Sequence, residues 1–164
     1  EAAGTITTDK AVKLFEKFGI YTKVELESRE EILYENYAKT INIEALTMIE
    51  MASKQIVPAV VKYTKELADT VIAVKEAGAE AAVQIGLLEK VSAKLVEMQN
   101  ALENLKEVEA KAAAMEEGKE RAFFYREKVT AAMDALRAPA DELEMMVDKK
   151  VWPFPTYGDL IFEV

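Results

Sequence analysis

Cysteine and histidine are both missing from this chain of 164 residues. Their absence excludes a cysteine or histidine nucleophile, an imidazole base, and metal sites that need thiolate or imidazole ligands. It also excludes the di-iron sites of ferritin-like bundles, which need Glu-x-x-His pairs. The 6 glycines are too few and too scattered for a loop that cradles phosphate. The sequence therefore predicts no catalytic residue, no cofactor-binding residue and no metal ligand.

Basic residues and long apolar runs are also in short supply. The chain has 30 acidic against 21 basic residues, which gives a net charge of -9. Nucleic acid and anionic membrane surfaces attract clustered lysine and arginine, so this balance argues against both as partners. No apolar run approaches the roughly 20 residues that cross a bilayer. We therefore expect a cytoplasmic protein, and the lack of cysteine fits a reducing compartment.

Two helix starts lie close together near the N-terminus. Thr8 can cap a short helix that stops at Gly19, so residues 1–21 are predicted as a short helix and a loop. Thr22 and Glu25 then have the spacing of a capping box, in which each residue can satisfy the backbone amide of the other. A long helix is therefore expected to begin at residue 22.

The long helix is predicted over residues 22–77, with a kink at Pro58 because proline has no amide hydrogen and its ring displaces a carbonyl. A second helix over 79–116 has one narrow apolar stripe, and its three-and-four spacing is typical of a coiled coil. This seam consists of Leu88, Val91, Leu95, Met98, Leu102 and Leu105. The simplest partner, in an antiparallel hairpin, is the apolar stripe of Tyr63, Leu67, Val71 and Val74.

Return helices are predicted over 118–150, with Pro139 restarting a helix as a tolerated first-turn residue. The fold class is therefore all-α: an antiparallel helical bundle with a long proline-kinked helix, a coiled-coil-like hairpin and an extended tail. We expect residues 1–164 to form a single helical domain.

The tail, residues 151–164, differs from the helices before it. Two prolines each push the preceding residue out of the α region, so Trp152 and Phe154 are expected in extended backbone. A solvated tail would not normally carry four aromatic residues. We interpret Trp152, Phe154, Tyr157 and Phe162 as a docking tail.

The segment 41–61 is apolar around most of the helix circumference, so it must be covered on more than one side. Ile41, Ile49 and Ile56 are the candidate interface residues in it. Two interpretations stay open: internal burial in a four-helix core, or an interface to an absent domain or subunit.

Carboxylates cluster at two places, around Glu25–Glu31 and around Glu116–Glu120. Oxygen ligands of this kind could hold a hard cation such as Mg²⁺ loosely. A solvated acidic helix surface is the favoured interpretation.

Two stretches resemble a known family. Residues 152–162, Trp-Pro-Phe-Pro-Thr-Tyr-Gly-Asp-Leu-Ile-Phe, with Arg-Ala-Pro-Ala-Asp-Glu-Leu-Glu at 137–144, resemble the extreme C-terminus of the type III glutamine synthetases. Residues 34–48, Tyr-Glu-Asn-Tyr-Ala-Lys-Thr-Ile-Asn-Ile-Glu-Ala-Leu-Thr-Met, are similar to a helix upstream in the same family. The resemblance implies a large cytoplasmic ligase that joins ammonia to glutamate with ATP and Mg or Mn, in an assembly of many subunits.

The family holds its metals with glutamates and a histidine in a β-rich catalytic domain, so no catalytic, ATP-binding or metal residue is carried over to this chain. The resemblance implies a non-catalytic C-terminal module that packs on the catalytic domain of the same chain and on neighbouring subunits of a homo-oligomer. The alternatives are a free-standing helical adaptor that binds a partner through the hairpin, and a carboxylate metal binder.

Overall fold

The protein is described by a computed structural model that covers residues 2–155 and 157–162. Across those residues the chain forms helices joined by turns, and it contains no β-strand. The predicted all-α fold class is confirmed. No helix in the described part of the chain is long and apolar enough to cross a membrane.

A 3-10 turn, Ala3–Thr5, precedes the first α-helix. The α-helices are α1 (Asp9–Lys17), α2 (Lys23–Met51), α3 (Val57–Glu76), α4 (Ala82–Ala113), α5 (Lys119–Phe124), α6 (Thr130–Glu144) and α7 (Tyr157–Phe162). Two π-helical segments, Ala52–Ile56 and Tyr125–Val129, join α2 to α3 and α5 to α6.

The predicted capping box is present at the start of α2. The Thr22 backbone amide donates to a Glu25 carboxylate oxygen at 2.7 Å, and the Glu25 amide donates to the Thr22 hydroxyl at 3.4 Å. These bonds satisfy two of the amides that the first turn of a helix leaves without partners. At the preceding stop, Gly19 adopts a φ of 63°, in the left-handed region that a residue with a Cβ rarely enters.

Pro58 lies in the first turn of α3, directly after a π-helical segment. The Val57 amide there donates to the Ala52 carbonyl, five residues back, instead of four. This wider turn is the local response that we associate with Pro58, because a proline cannot complete the α-helical ladder behind it.

The chain divides into two compact units. Unit 1 comprises Glu1–Ala45 and Val108–Ala131. The Tyr34 and Phe123 rings lie 6.2 Å apart in it, and the Thr7 hydroxyl donates to a Glu30 carboxylate oxygen at 2.5 Å. Its fully buried large residues include Tyr125, Leu26 and Val129.

Unit 2 comprises Leu46–Glu107 and Ala132–Val164. Four members of the predicted seam are buried here: Val91, Met98, Leu102 and Leu105. Val60, Leu136 and Leu143 are also buried. Lys94 of α4 forms an ion pair with Glu142 of α6 at 3.0 Å. The pairing of the seam in an antiparallel hairpin, and a single domain over 1–164, stay predictions.

Two predictions about the return helices and the tail need correction. Pro139 does not restart a helix but lies inside α6, where it is buried. Burial of the ring offsets the missing hydrogen bond.

The tail is not extended throughout, since residues 157–162 form the short helix α7. The two prolines precede this helix and leave its amides intact, so they restrict only the residues up to Pro155.

Candidate functional site

The structure brings together three of the predicted docking residues. Trp152, Phe154 and Ile56 line one pocket of unit 2. Ile49 is half-buried in unit 2 outside this lining, and Ile41 is half-buried in unit 1. Phe162 is 79% exposed, and the side chain of Tyr157 lies outside the described residues.

The pocket has a volume of about 240 Å³. Its walls come from the end of α2, the π-helical segment 52–56, α4, α6 and the residues after α6. The lining residues, which we call the Trp152 pocket, are Met48, Met51, Ala52, Ile56, Met98, Leu136, Arg137, Ala140, Asp141, Glu144, Trp152 and Phe154.

A tight turn around Asp148 positions Trp152. The amides of Val151 and Trp152 donate to the Asp148 carbonyl at 2.8 and 2.9 Å, and the Lys150 amide donates to the Asp148 carboxylate at 2.7 Å. Aspartate side chains commonly bond the backbone two residues on, and this stabilises turns. Sequence reasoning missed this role of Asp148, although aspartate is one of the residues that favour turns.

Trp152 is only 9% exposed, and its ring meets the Phe154 ring edge-on at a centroid distance of 6.3 Å. Its indole Nε1–H has no acceptor within the part of the chain that the structure describes. A buried donor without a partner costs about 1–3 kcal/mol. An indole N–H usually finds an acceptor when it is buried, so this donor is an exception to the usual pattern.

Three methionines, Met48, Met51 and Met98, contribute to the lining. Methionine side chains are flexible and polarizable, so they adapt to irregular apolar partners. Two of the lining residues, Ala52 and Ile56, also come from a π-helical segment, a feature that is frequent at functional sites. The lining therefore combines apolar side chains with the charged groups of Arg137, Asp141 and Glu144.

The charged part of the lining comes from α6. Arg137 is paired with Asp141 at 3.2 Å. Glu144 has no ion-pair partner among residues 2–155 and 157–162. Near the same helix, Glu97 and Glu142 both accept hydrogen bonds from Lys94, and these bonds raise the pKa of the Lys94 ammonium group.

Helix α7 presents a second apolar surface in unit 2. Leu160, Ile161 and Phe162 are 67%, 66% and 79% exposed. An ion pair between Lys149 and Asp159 links the helix to the residues that precede it. We call Leu160, Ile161 and Phe162 the α7 surface.

Unit 1 contains a separate apolar cavity of about 390 Å³. It is lined by Ala2, Ala3, Leu33, Tyr34, Tyr37, Ala122, Phe123 and Arg126. The acidic clusters do not form a metal site, because no three acidic side chains in the described ranges come together around a possible ion.

Comparisons with known proteins agree on one family. A family model described as the glutamine synthetase C-terminal domain matches residues 1–75. The chain is 40% identical over 159 residues to a glutamine synthetase from Butyrivibrio fibrisolvens, and this match covers 96% of the chain. It is 30% identical over 168 residues to a type-3 glutamine synthetase from Dictyostelium discoideum, over 99% of the chain.

A glutamine synthetase from Bacteroides fragilis is 29% identical over 164 residues, and the match covers 96% of the chain. These matches cover 23%, 23% and 22% of the three relatives, in their C-terminal part. The chain therefore spans less than a quarter of the length of these relatives.

Proposed function

The chain belongs to the glutamine synthetase family and corresponds to the C-terminal domain of these proteins, and we propose that it is a non-catalytic structural module of a type III glutamine synthetase. The ligase would make glutamine from glutamate and ammonia with ATP. Its ATP and its Mg²⁺ or Mn²⁺ would be bound by the remainder of the polypeptide. The module's partners would be the catalytic domain of the same chain and neighbouring subunits of a homo-oligomer in the cytoplasm.

The α7 surface is the observation that carries the docking part of this proposal. Three consecutive large apolar side chains on one short helix are mostly exposed, while the ion pair between Lys149 and Asp159 holds the helix in place. Exposed apolar clusters of this kind mark contact sites, because burying them against a partner removes apolar surface from water.

Replacing the α7 surface in the intact synthetase tests the proposal. The triple variant Leu160→Ser, Ile161→Ser, Phe162→Ser is expected to lower the assembled fraction, measured by mass photometry at nanomolar concentration. The matched control is Val83→Ser with Val96→Ser, because these side chains are 84% and 61% exposed on another helix of unit 2. A triple variant with unchanged assembly and unchanged activity would reject a docking role for α7.

The free-standing adaptor is the second candidate, and the comparisons do not favour it. The matches to synthetases cover 96–99% of the chain, so no stretch of useful length is left for an unrelated module. An adaptor would also need its coiled-coil seam for a partner, whereas Met98, Leu102 and Leu105 are already buried.

A further inference from the structure

We propose that the apolar cavity of unit 1 is filled by apolar side chains of the synthetase segment that directly precedes residue 1 of this chain. We call this stretch the preceding segment. The inference rests on the proposed function, because it requires the longer polypeptide of a synthetase. It names the occupant of a site that is separate from the α7 surface.

The cavity lies where the start of the chain meets α2 and α5. Its lining includes Ala2 and Ala3 at the start of the chain, Tyr34 and Tyr37 of α2, and Phe123 of α5. The volume of about 390 Å³ falls within the roughly 300–1,000 Å³ of pockets that hold a ligand. Close-packed protein interiors leave few voids larger than a water molecule, so this space is large enough to receive an occupant.

The start of the chain is fixed in position against α2. A Cβ on Gly4 would lie 3.2 Å from the Tyr34 hydroxyl, so the backbone at Gly4 lies close to that side chain. The amide and the hydroxyl of Thr5 both donate to the Ala2 carbonyl, at 3.1 and 2.7 Å. These contacts hold Ala2 in the cavity wall, and any segment joined to Ala2 through residue 1 therefore starts beside the cavity.

The lining favours apolar side chains in the occupant. Leu33 and Tyr37 are 48% and 39% exposed although both line the cavity. Covering them with apolar groups removes apolar surface from water, which is favourable. Ala2, Ala3 and Ala122 contribute only methyl groups to the lining, so they leave space for larger side chains beside the aromatic rings.

The length of the relatives identifies the polypeptide that continues from Ala2. The matched region lies in the C-terminal part of all three relatives and leaves more than three quarters of each outside it. In a synthetase of that length, most of the polypeptide therefore precedes Ala2. An extended chain advances about 3.3–3.6 Å per residue, so the first few residues before residue 1 reach the lining. Their covalent link gives them a high effective concentration at the cavity, which a separate partner lacks.

Photocrosslinking in the intact synthetase tests the inference. The photoreactive residue p-benzoylphenylalanine takes the place of Tyr37, which is partly exposed and lines the cavity. The matched control places it at Ile32, which is 50% exposed on the same helix but outside the lining. We expect position 37, and not position 32, to be joined to a peptide within about ten residues before residue 1, a length that spans at most about 35 Å. The product should keep the mass of one polypeptide.

Hydrogen–deuterium exchange of the intact synthetase reports the same contact without a crosslink. Leu33→Ser with Tyr37→Ser removes the exposed apolar part of the lining. We expect the amides of the preceding segment to exchange about tenfold faster, equivalent to 1.4 kcal/mol. Ile32→Ser is the matched control and should leave those amides at the wild-type rate. Amides around Leu26, which is buried in unit 1, should keep their wild-type rates in both variants, because the substituted side chains are exposed.

Three results would overturn the inference. Position 37 could be joined to a distant part of the polypeptide or to a second polypeptide, which would make a remote segment or a neighbouring subunit the occupant. The preceding segment could exchange at the wild-type rate in the double variant. Native mass spectrometry could show a bound small molecule that the double variant releases.

The outcome is separable from that of the proposed function. Loss of assembly in the α7 triple variant, with unchanged exchange of the preceding segment in the cavity variant, would reject this inference alone. Unchanged assembly in the α7 variant, with the expected crosslink and exchange change, would reject only the docking role of α7.

Discussion

Met98→Ala is expected to destabilise unit 2 strongly. Met98 is fully buried, belongs to the coiled-coil seam, and forms part of the Trp152 pocket. Truncation of a buried methionine to alanine costs about 2–5 kcal/mol, from lost burial and from the space left behind. Here the truncation enlarges an existing pocket, so neighbouring side chains cannot collapse fully into the space. We expect about 3 kcal/mol, a large part of the roughly 5–15 kcal/mol that stabilises a typical domain.

Urea unfolding of the chain followed by tryptophan fluorescence measures this cost. Trp152 is the only tryptophan, and it lies in unit 2, so its emission reports that unit alone. With a slope of about 2 kcal/mol per molar urea, 3 kcal/mol lowers the fluorescence midpoint by about 1.5 M. Circular dichroism at 222 nm, which reports helix in both units, should reveal a component that does not shift if the units unfold separately.

Two control variants distinguish the loss of core packing from other effects of a substitution in α4. Met98→Leu keeps the volume and should cost less than about 1.5 kcal/mol. Val96→Ala, on the exposed face of α4, should change stability by less than about 0.5 kcal/mol. A Met98→Ala midpoint within about 0.3 M of the wild type would refute the claim that this residue supports the core of unit 2.

Three further predictions concern the helix ends. Thr22→Ala removes the capping box of α2 and should cost about 1 kcal/mol in urea unfolding, whereas an unchanged midpoint would show that the cap contributes nothing. The backbone and hydroxyl hydrogen bonds of Thr22 lower the pKa of Glu25, so the stabilising contribution of the Glu25 carboxylate should be complete above pH 4.5 and decline as the pH falls through the lowered pKa. Glu25→Gln should remove this part of the acid dependence of stability, and identical pH profiles for the variant and the wild type would contradict the prediction. Lys149→Ala removes the ion pair with Asp159 and should speed amide exchange across residues 157–162, while unaltered exchange would show that α7 is held by other contacts.

Helix starts, stops and the seam could be predicted because their signals are local. The Thr22–Glu25 box and the Gly19 stop depend on residues three or four positions apart, and the structure confirms both. The seam follows from helical periodicity, and its members Met98, Leu102 and Leu105 are buried. The identity of the partner helix is not local information, since many apolar stripes can pair with the seam.

The π-helical segments and α7 could not be predicted, for different reasons. A π-helical turn inserts one residue into an otherwise regular ladder, and its apolar pattern is hardly distinguishable from that of an α-helix. Near Pro58 the sequence does signal a disturbance of the helix. A kink and a wider turn can both accommodate the amide hydrogen that proline lacks, so the sequence does not distinguish them. Helix α7 has only six residues, too short to be stable by propensity, so its formation depends on tertiary contacts such as the Lys149–Asp159 ion pair.

The Trp152 pocket depends on local sequence signals and on long-range packing. The aromatic and proline pattern identified Trp152 and Phe154 as docking residues, and their role stays a proposal. No local signal indicates that Met98 and Glu144, which are 46 positions apart, line the same pocket. Long-range packing of α4 with α6 in unit 2 produces that arrangement, and the Asp148 turn adds Trp152 to it.

The most direct test of the central claim is the size and activity of the native polypeptide that contains this sequence. An antibody raised against the 164-residue chain would be used to isolate that polypeptide from its source cells. We predict a polypeptide about four times larger than the 18.3 kDa of this chain, and ATP-dependent formation of glutamine in the isolated material. A polypeptide of 18.3 kDa with no such activity would contradict the account and favour the free-standing adaptor.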